Sequence, residues 1–520
     1  MLTRRETVAL IGAGALAPTL VRAQDAKEKG GRNVFDHGVV IERARQLSLQ
    51  PYKEPEAKLP EAFDRLSFDD FRAVRFKRDR AYFGNSKSGF RMELFHRGFL
   101  YKKPVVVNLV RDGVPAPIPY DPSFFDFGPT KPPGRLPIDF GFAGIRILYP
   151  LNRPSVMDEL AVFLGASYYR FLGMGQHYGI SARGIAVNTG ESTPEEFPDF
   201  RELWIEEPAP GAVEIVVHGL LDGPSLTGAY RFVITPGEET AVAVGSTLFP
   251  RVDVPKLGVA PLTSMFFYGE NDREHYRGFR PEVHDSDGLL VRTSSGEWTW
   301  RPLMNPKALL KTVFPEPAVQ AFGLLQRDRL FEHYQDLEVR YDLRPSYWIE
   351  RQGDWGPGRV ELVEIPTDNE TFDNVVAYWT PDVAPKAGET VRHSYVIRSL
   401  KLAERLTPKA RAIHTFVTEA RASGDPNPGA SDIRRFIVDF EGGDLDYWLD
   451  EPKRVVTDTG ATAGKIEAAY VVPNREIGGF RLFLDHRLEE AGAEAQLRAV
   501  LRVGDRPVTE TWVFSWKREG

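Results

Sequence analysis

The chain of 520 residues carries 66 Lys and Arg against 73 Asp and Glu, a formal net charge of -7, and it has no cysteine. A cysteine-free chain excludes a disulfide framework and a thiolate metal site, and mixed-sign acidity excludes the basic stripe that a nucleic-acid backbone requires. Aromatic residues at 12%, with 46 Gly and 40 Pro, point to strands and turns rather than a helical bundle.

Residues 1–23 read as an export signal: Arg4 and Arg5, a modest apolar stretch over 8–20, and the small-x-small ending Val21-Arg22-Ala23. That stretch is too short to span about 30 Å of hydrocarbon, and no later run approaches the roughly 18 apolar residues of a membrane helix, so no stable membrane anchor is expected. The paired arginines after Thr3, with Gly12, Gly14 and Pro18 in a weakly apolar core, favour twin-arginine export, although Thr7 stands where such signals prefer Phe. Removing the signal takes away Arg4, Arg5 and Arg22 against Glu6, which moves the net charge from -7 to -9. The next segment, 24–32, reads as flexible.

The roughly 500 residues that remain exceed what one core supports, so two or more domains are expected. The spacing predicts helices at 67–75, where Ser67 and Asp70 resemble a capping box, and at 156–172, where Leu160, Phe163 and Leu164 fill one face. Strand patterns at 212–217, 229–234 and 240–244, separated by turns such as Pro236-Gly237, predict an antiparallel meander that continues at 335–344, 358–365 and 373–380. The pattern changes near residue 400. We expect an N-terminal β-sandwich over 24–400, a linker with a short helix over 401–430, including the turn-rich stretch 423–429, and a small immunoglobulin-like sandwich over 431–520.

The candidate chemistry lies between 264 and 380. Carboxyls crowd there: Glu270, Glu282, Asp285 and Asp287, with Asp373 opening a strand after the polar loop 367–372. Glycoside hydrolysis needs two carboxyls, one to protonate the departing oxygen and one to activate water or attack. Each Asp alone also reads as a turn former bonded to nearby backbone. Asp285-Ser-Asp287-Gly288 resembles a fragment of a calcium loop but lacks the later ligands, so no metal is expected. Trp298, Trp300, Arg301, Tyr347, Trp348 and Trp355 offer the flat faces and donors that suit sugar rings, and equally the fillers of a sandwich core.

The segments Phe95-His-Arg-Gly-Phe-Leu-Tyr101, Ala166-Ser-Tyr-Tyr-Arg170, Tyr178-Gly-Ile-Ser-Ala-Arg-Gly184, Arg280-Pro-Glu-Val-His-Asp-Ser-Asp-Gly288, Gly296-Glu-Trp-Thr-Trp-Arg-Pro-Leu303 and Asp373-Asn-Val-Val-Ala-Tyr-Trp379 resemble the periplasmic glucan biosynthesis family, OpgG and OpgD. The match spans nearly the whole mature chain, and the paired arginines resemble the OpgD-like branch. The resemblance implies a mainly β fold, a large galactose-mutarotase-like sandwich followed by an immunoglobulin-like one, and a periplasmic protein acting on β-1,2-glucan. It implies an inverting endo-β-1,2-glucanase with Asp373 as acid and Asp285 as base, Asp287 being a rival base. His284, Asp287, Glu270, Trp298, Trp300, Arg301, Tyr347, Trp348 and Trp355 are then the expected substrate contacts. A transglycosylase that cyclises the glucan and a non-catalytic glucan-binding module are the alternatives. No cofactor is expected; membrane-bound glucan-synthesis machinery is a further expected partner.

Overall fold

The computed structural model describes residues 34–132, 136–314, 319–402, 406–420 and 432–518. The export signal, the 24–32 segment and the 423–429 turn stretch lie outside the described residues. The chain is mainly β, with 47% strand against 9% helix. The meander is present: Ile215–Asp222, Leu226–Thr235 and Ala241–Pro250 pair antiparallel in chain order, with Thr235 opposite Ala241 across the Pro236-Gly237 turn. The runs at 358–365 and 373–380 are the strands Gly358–Glu364 and Val375–Pro381.

Two large sheets, of ten and fifteen strands, stack on a common core. Successive strand residues point to opposite faces, so every second residue of each sheet is free to enter that core. Phe163 and Tyr169 of the ten-stranded sheet lie 5.1 and 5.0 Å, centroid to centroid, from Phe232 of the other. Phe171 stacks on Tyr347 at 4.4 Å. The Tyr347 hydroxyl closes the same junction, accepting from the Phe171 amide at 2.7 Å and donating to its carbonyl at 2.6 Å.

The fifteen-stranded sheet also serves a second core through its other face. In Gly288–Thr293, Leu289 and Val291 enter the first core and Leu290 the second; in Ser346–Gln352, Tyr347 and Ile349 enter the first and Trp348 the second. Gly288 is required here, because a Cβ on it would lie 2.2 Å from the Trp300 ring. The second core is closed by Phe436, Val438, Leu482 and Leu484 of a four-stranded sheet, and by Leu497, Trp512 and Phe514. The last three lie on Glu494–Val503 and Thr511–Lys517, which extend the fifteen-stranded sheet by parallel pairing of Thr299 with Thr511 and Trp300 with Trp512. Two sandwiches thus share one sheet. Elsewhere on that face the helix His37–Ser48, capped by Asp36, packs Val40 and Ala44 against Trp204, Leu220 and Ala229.

Three expectations are corrected. The region 156–172 forms the strands Asp158–Leu164 and Tyr168–Phe171, not a helix, and Gly165 and Ala166 turn between them at positive φ. Its apolar residues satisfy helical spacing, but the left-handed turn at Gly165 breaks any helix there. The region 335–344 is a turn ending in a 3-10 helix at Tyr341–Leu343, because Asp336 accepts from the amides of Glu338 and Val339 at 3.0 and 2.8 Å and holds the chain back from extension. Within the span read as a linker with a short helix, Arg411–Glu419 is a strand paired with Ile433–Glu441. The helix expected at 67–75 is Phe68–Ala73, where Ser67 accepts from the Asp70 amide at 3.1 Å. Among the described residues no helix is long and apolar enough to cross a membrane.

Replacing Tyr347 with Phe leaves the Phe171 amide and carbonyl without this partner inside the core. We expect Tyr347→Phe to cost about 1–3 kcal/mol in a denaturant titration, with an unchanged slope.

Candidate functional site

The outer face of the ten-stranded sheet carries what the core face cannot. In Tyr168–Phe171, Tyr169 and Phe171 enter the core and leave Tyr168 and Arg170 outside; in Ser181–Arg183, Ala182 enters and leaves Ser181 and Arg183 outside. Register sets Tyr168 opposite Arg183 and Thr263 opposite both Ser181 and Val376, so these side chains form one band. The Arg183 guanidinium lies 5.2 Å from the centre of the Tyr168 ring and 4.8 Å from that of Phe197, and pairs with Glu195 at 2.9 Å. Ser181 Oγ and Arg183 Nε are buried without hydrogen-bond partners among the described residues.

Asp373 stands at the end of this band. Two buried asparagines fix the loop that bears it. Asn374 accepts from the Phe266 amide at 2.9 Å and donates to the carbonyls of Phe266 and Ile365 at 2.9 and 3.0 Å. Asn305 donates to the Thr367 carbonyl at 2.8 Å and accepts from its amide at 3.0 Å. With both ends of the loop pinned, the Asp373 carboxyl projects into an open groove with 34% of its side chain exposed, 3.7 Å from the Arg170 guanidinium. Crowding by the groove walls raises its pKa above the ordinary carboxylate value, against the pull of Arg170, Arg344 and Arg183.

The groove is elongated. On one side of Asp373 a cavity of about 360 Å³ is lined by Leu100, Tyr101, Tyr168 and Arg170, and it shares Leu100, Tyr101 and Tyr168 with a further cavity of about 330 Å³ that runs to Lys103 and Arg201. On the other side a cavity of about 630 Å³ is lined by His275, Asn305, Lys307 and Phe372. Phe372 is 63% exposed, an apolar ring held in solvent beside the carboxyl.

Asp285 lies deeper, its side chain only 5% exposed, in an ion pair with Arg344. The Arg344 guanidinium sits 4.2 Å from the centre of the Tyr341 ring. Burial, with repulsion from Arg170, lowers Arg344 to about 10, and Asp373 and Glu370 draw it back up. One cation therefore acts on both Asp285 and Asp373. Glu370 ties the loop further, pairing with Arg280 at 2.8 Å and accepting from the Tyr341 hydroxyl at 3.3 Å.

The structure separates Asp287 from this pair. Its carboxylate accepts from the amides of Arg327 and Asp328 at 2.7 and 2.9 Å, and burial raises its pKa against the pull of His284. With Glu270, Glu282, His284 and His414 it lines a separate cavity of about 30 Å³, room for a water molecule rather than a sugar. Here carboxylates meet imidazoles in pairs: Glu282 with His284 at 2.8 Å, Asp328 with His333 at 2.5 Å and Glu270 with His414 at 2.8 Å. Burial alone would lower His284, but Glu282, Asp287 and Asp328 raise it. Glu270 and His284, expected as substrate contacts, thus belong to the seam where Arg411–Glu419 docks, and Glu270 also accepts from the Thr415 amide at 2.6 Å.

The expected aromatic platform is also corrected. Trp298 and Trp300, 6% and 4% exposed, belong to the second core, where Trp298 stacks on Trp348 at 5.7 Å. Arg301 is fully buried against Glu364 at 3.0 Å. Tyr347 bridges the two large sheets, and the Trp355 indole donates to the Ser394 carbonyl at 3.0 Å beside Trp379 and Tyr395. These rings cluster because one sheet fills two cores. Sequence reasoning passed over Tyr168, Arg170 and Arg183, whose signal is a charged or hydroxylated residue alternating with core residues inside a strand, and Arg344, which lies outside any strand.

The glutamate–histidine bond at the seam makes docking depend on pH. The Glu270 hydrogen bond raises His414 to about 9 against burial, so its stabilising contribution is complete below about 6.5 and is lost as pH rises through about 9. We expect the difference in melting temperature between the parent and His414→Gln to shrink steadily from pH 6.5 to pH 9.5.

Fold and site together define a double β-sandwich protein with a long polar groove and a carboxyl at its middle. The family model described as "Periplasmic glucan biosynthesis protein, MdoG" matches residues 35–516. A protein named Glucans biosynthesis protein G from Ralstonia nicotianae is 44% identical over 480 residues, covering 91% of this chain and 94% of its own. Two proteins of the same name from strains of Rhodopseudomonas palustris are each 43% identical, over 518 and 511 residues, covering 99% and 98% of this chain and 100% and 98% of their own. The chain belongs to the periplasmic glucan biosynthesis family. These three relatives carry the G name, so the OpgD-like branch rests on the paired arginines alone.

Proposed function

We propose that this chain is an inverting endo-β-1,2-glucanase of the periplasm. The observation that carries the reading is the position of Asp373, half-open at the middle of a groove that continues on both sides, as cleavage within a polymer requires. Its raised pKa favours the protonated form that gives a proton to the departing glycosidic oxygen. Asp285 is the base, acting on water through a relay of hydroxyls. Inversion leaves a gap of about 6.5–9.5 Å for water between the two carboxyls, and Arg344, paired with Asp285, also acts on Asp373. The family of this chain and the names of its relatives support a glucan substrate, and with the export signal expected at 1–23 that glucan is delivered by membrane-bound synthesis machinery.

Incubation with linear β-1,2-glucan is expected to raise reducing ends, and Asp373→Asn to slow this by roughly 10²–10⁴-fold. Turnover by Asp373→Asn equal to that of the parent would overturn the assignment. Transglycosylation is the second reading, favoured by the same two-sided groove, since an acceptor hydroxyl could take the place of water; cyclic products without new reducing ends would decide for it.

Arg170 supplies a second check. Its charge opposes the rise in the Asp373 pKa, so its removal should let that pKa climb. The alkaline limb of kcat/KM, where the acid is lost, is expected to move to higher pH in Arg170→Gln.

A further inference from the structure

We propose that the C-terminal sandwich carries a second glucan-binding cleft, distal to Asp373, which holds a remote stretch of the chain lying in the groove. The inference rests on the glucan reading above and assigns it a second site. A cavity of about 520 Å³ opens between the 304–310 segment and the strands Arg411–Glu419, Ile433–Glu441 and Thr511–Lys517. Phe514 and Trp516 back it from the second core, 2% and 8% exposed. Both rings are held: Phe514 stacks on Trp512 at 5.7 Å, and the Trp516 indole donates to His486 at 3.0 Å. Arg434, Glu494 and Lys517 bring polar heads of both signs to the lining.

That lining selects among ligands. An anion would meet Glu494, and an apolar helix would bury charged heads without partners. A neutral polyhydroxyl chain satisfies donors and acceptors alike. The cleft is also continuous with the groove, because Glu274, Asn305, Pro306 and Lys307 line both it and the cavity that holds Asp373. This common wall is anchored: Asn305 donates to the Phe267 carbonyl at 3.1 Å, and its amide bonds Asp272 at 2.9 Å. A glucan leaving the groove past Phe372 has a short, fixed ridge to cross.

Two sites on one polymer make the second contact intramolecular, so long chains should bind more tightly than short ones by about tenfold or more. The test is calorimetric titration of full-length Asp373→Asn with short linear β-1,2-glucan oligosaccharides and with long linear chains. The ratio of the two affinities is then measured again after adding Ala308→Trp, which places an indole in the cleft from an exposed wall position. Arg434→Ala with Lys517→Ala provides a second background that adds no bulk. The expected result is a ratio of about ten or more in the first protein that collapses toward one in the others. A ratio near one at the outset, or one that survives both changes, overturns the second cleft alone. Failure to bind even short oligosaccharides overturns the glucan reading of the groove.

Discussion

A strand has two faces, and in this protein both must be occupied. The fifteen-stranded sheet cannot leave Leu290, Trp298, Trp300 and Trp348 in water while Leu289, Val291, Tyr347 and Ile349 fill the core on its other side. Burying a side chain of this kind contributes roughly 1.5–3 kcal/mol, and the rows of alternating residues demand a cover along this end of the sheet. The C-terminal strands supply it, and the helix His37–Ser48 does the same for the meander. The ten-stranded sheet is treated differently. Its outer face carries a small apolar cluster of Ala186, Val363, Val376 and Tyr378 beside the polar band of Tyr168, Arg170, Ser181, Arg183 and Thr263, and Tyr168 and Arg170 reach the groove.

Electrostatics then divides the acidic residues by neighbour. Asp373 is crowded but reached by water, and arginines at a distance oppose the rise in its pKa. Asp285 is enclosed and has a guanidinium in direct contact. Asp287 spends its acceptors on two backbone amides. Three aspartates that are alike in sequence therefore have three employments, and the groove receives one of them directly.

Much of this was legible beforehand. The class of fold, the meander with its Pro236-Gly237 turn and the strands after residue 430 follow from period-two alternation and turn residues, both of which act locally. Asp373 was legible as a carboxyl in a loop at a strand end. The aromatic residues were misread for a physical reason: a tryptophan that fills a second core and one that stacks on sugar leave the same mark in a sequence, and only the partner across the sheet separates them. Trp298 meets Trp348, 50 residues onward in the chain. The region 156–172 failed similarly, since Leu160, Phe163 and Leu164 fit a helix until Gly165 and Ala166 reverse the chain. Arg344 could not have been found by motif, because its importance comes from touching Asp285, which is distant in the chain.

The parallel pairing of Trp298–Pro302 with Thr511–Lys517 has a consequence for how the chain is made. Until Thr511–Lys517 has been synthesised, Trp298–Pro302 is an edge strand lacking its parallel partner, the kind of surface that invites aggregation. Synthesis from the N-terminus cannot finish this sheet early. The nascent chain must be kept apart from its neighbours until then, and Thr511–Lys517 acts as the closing seam of this sheet.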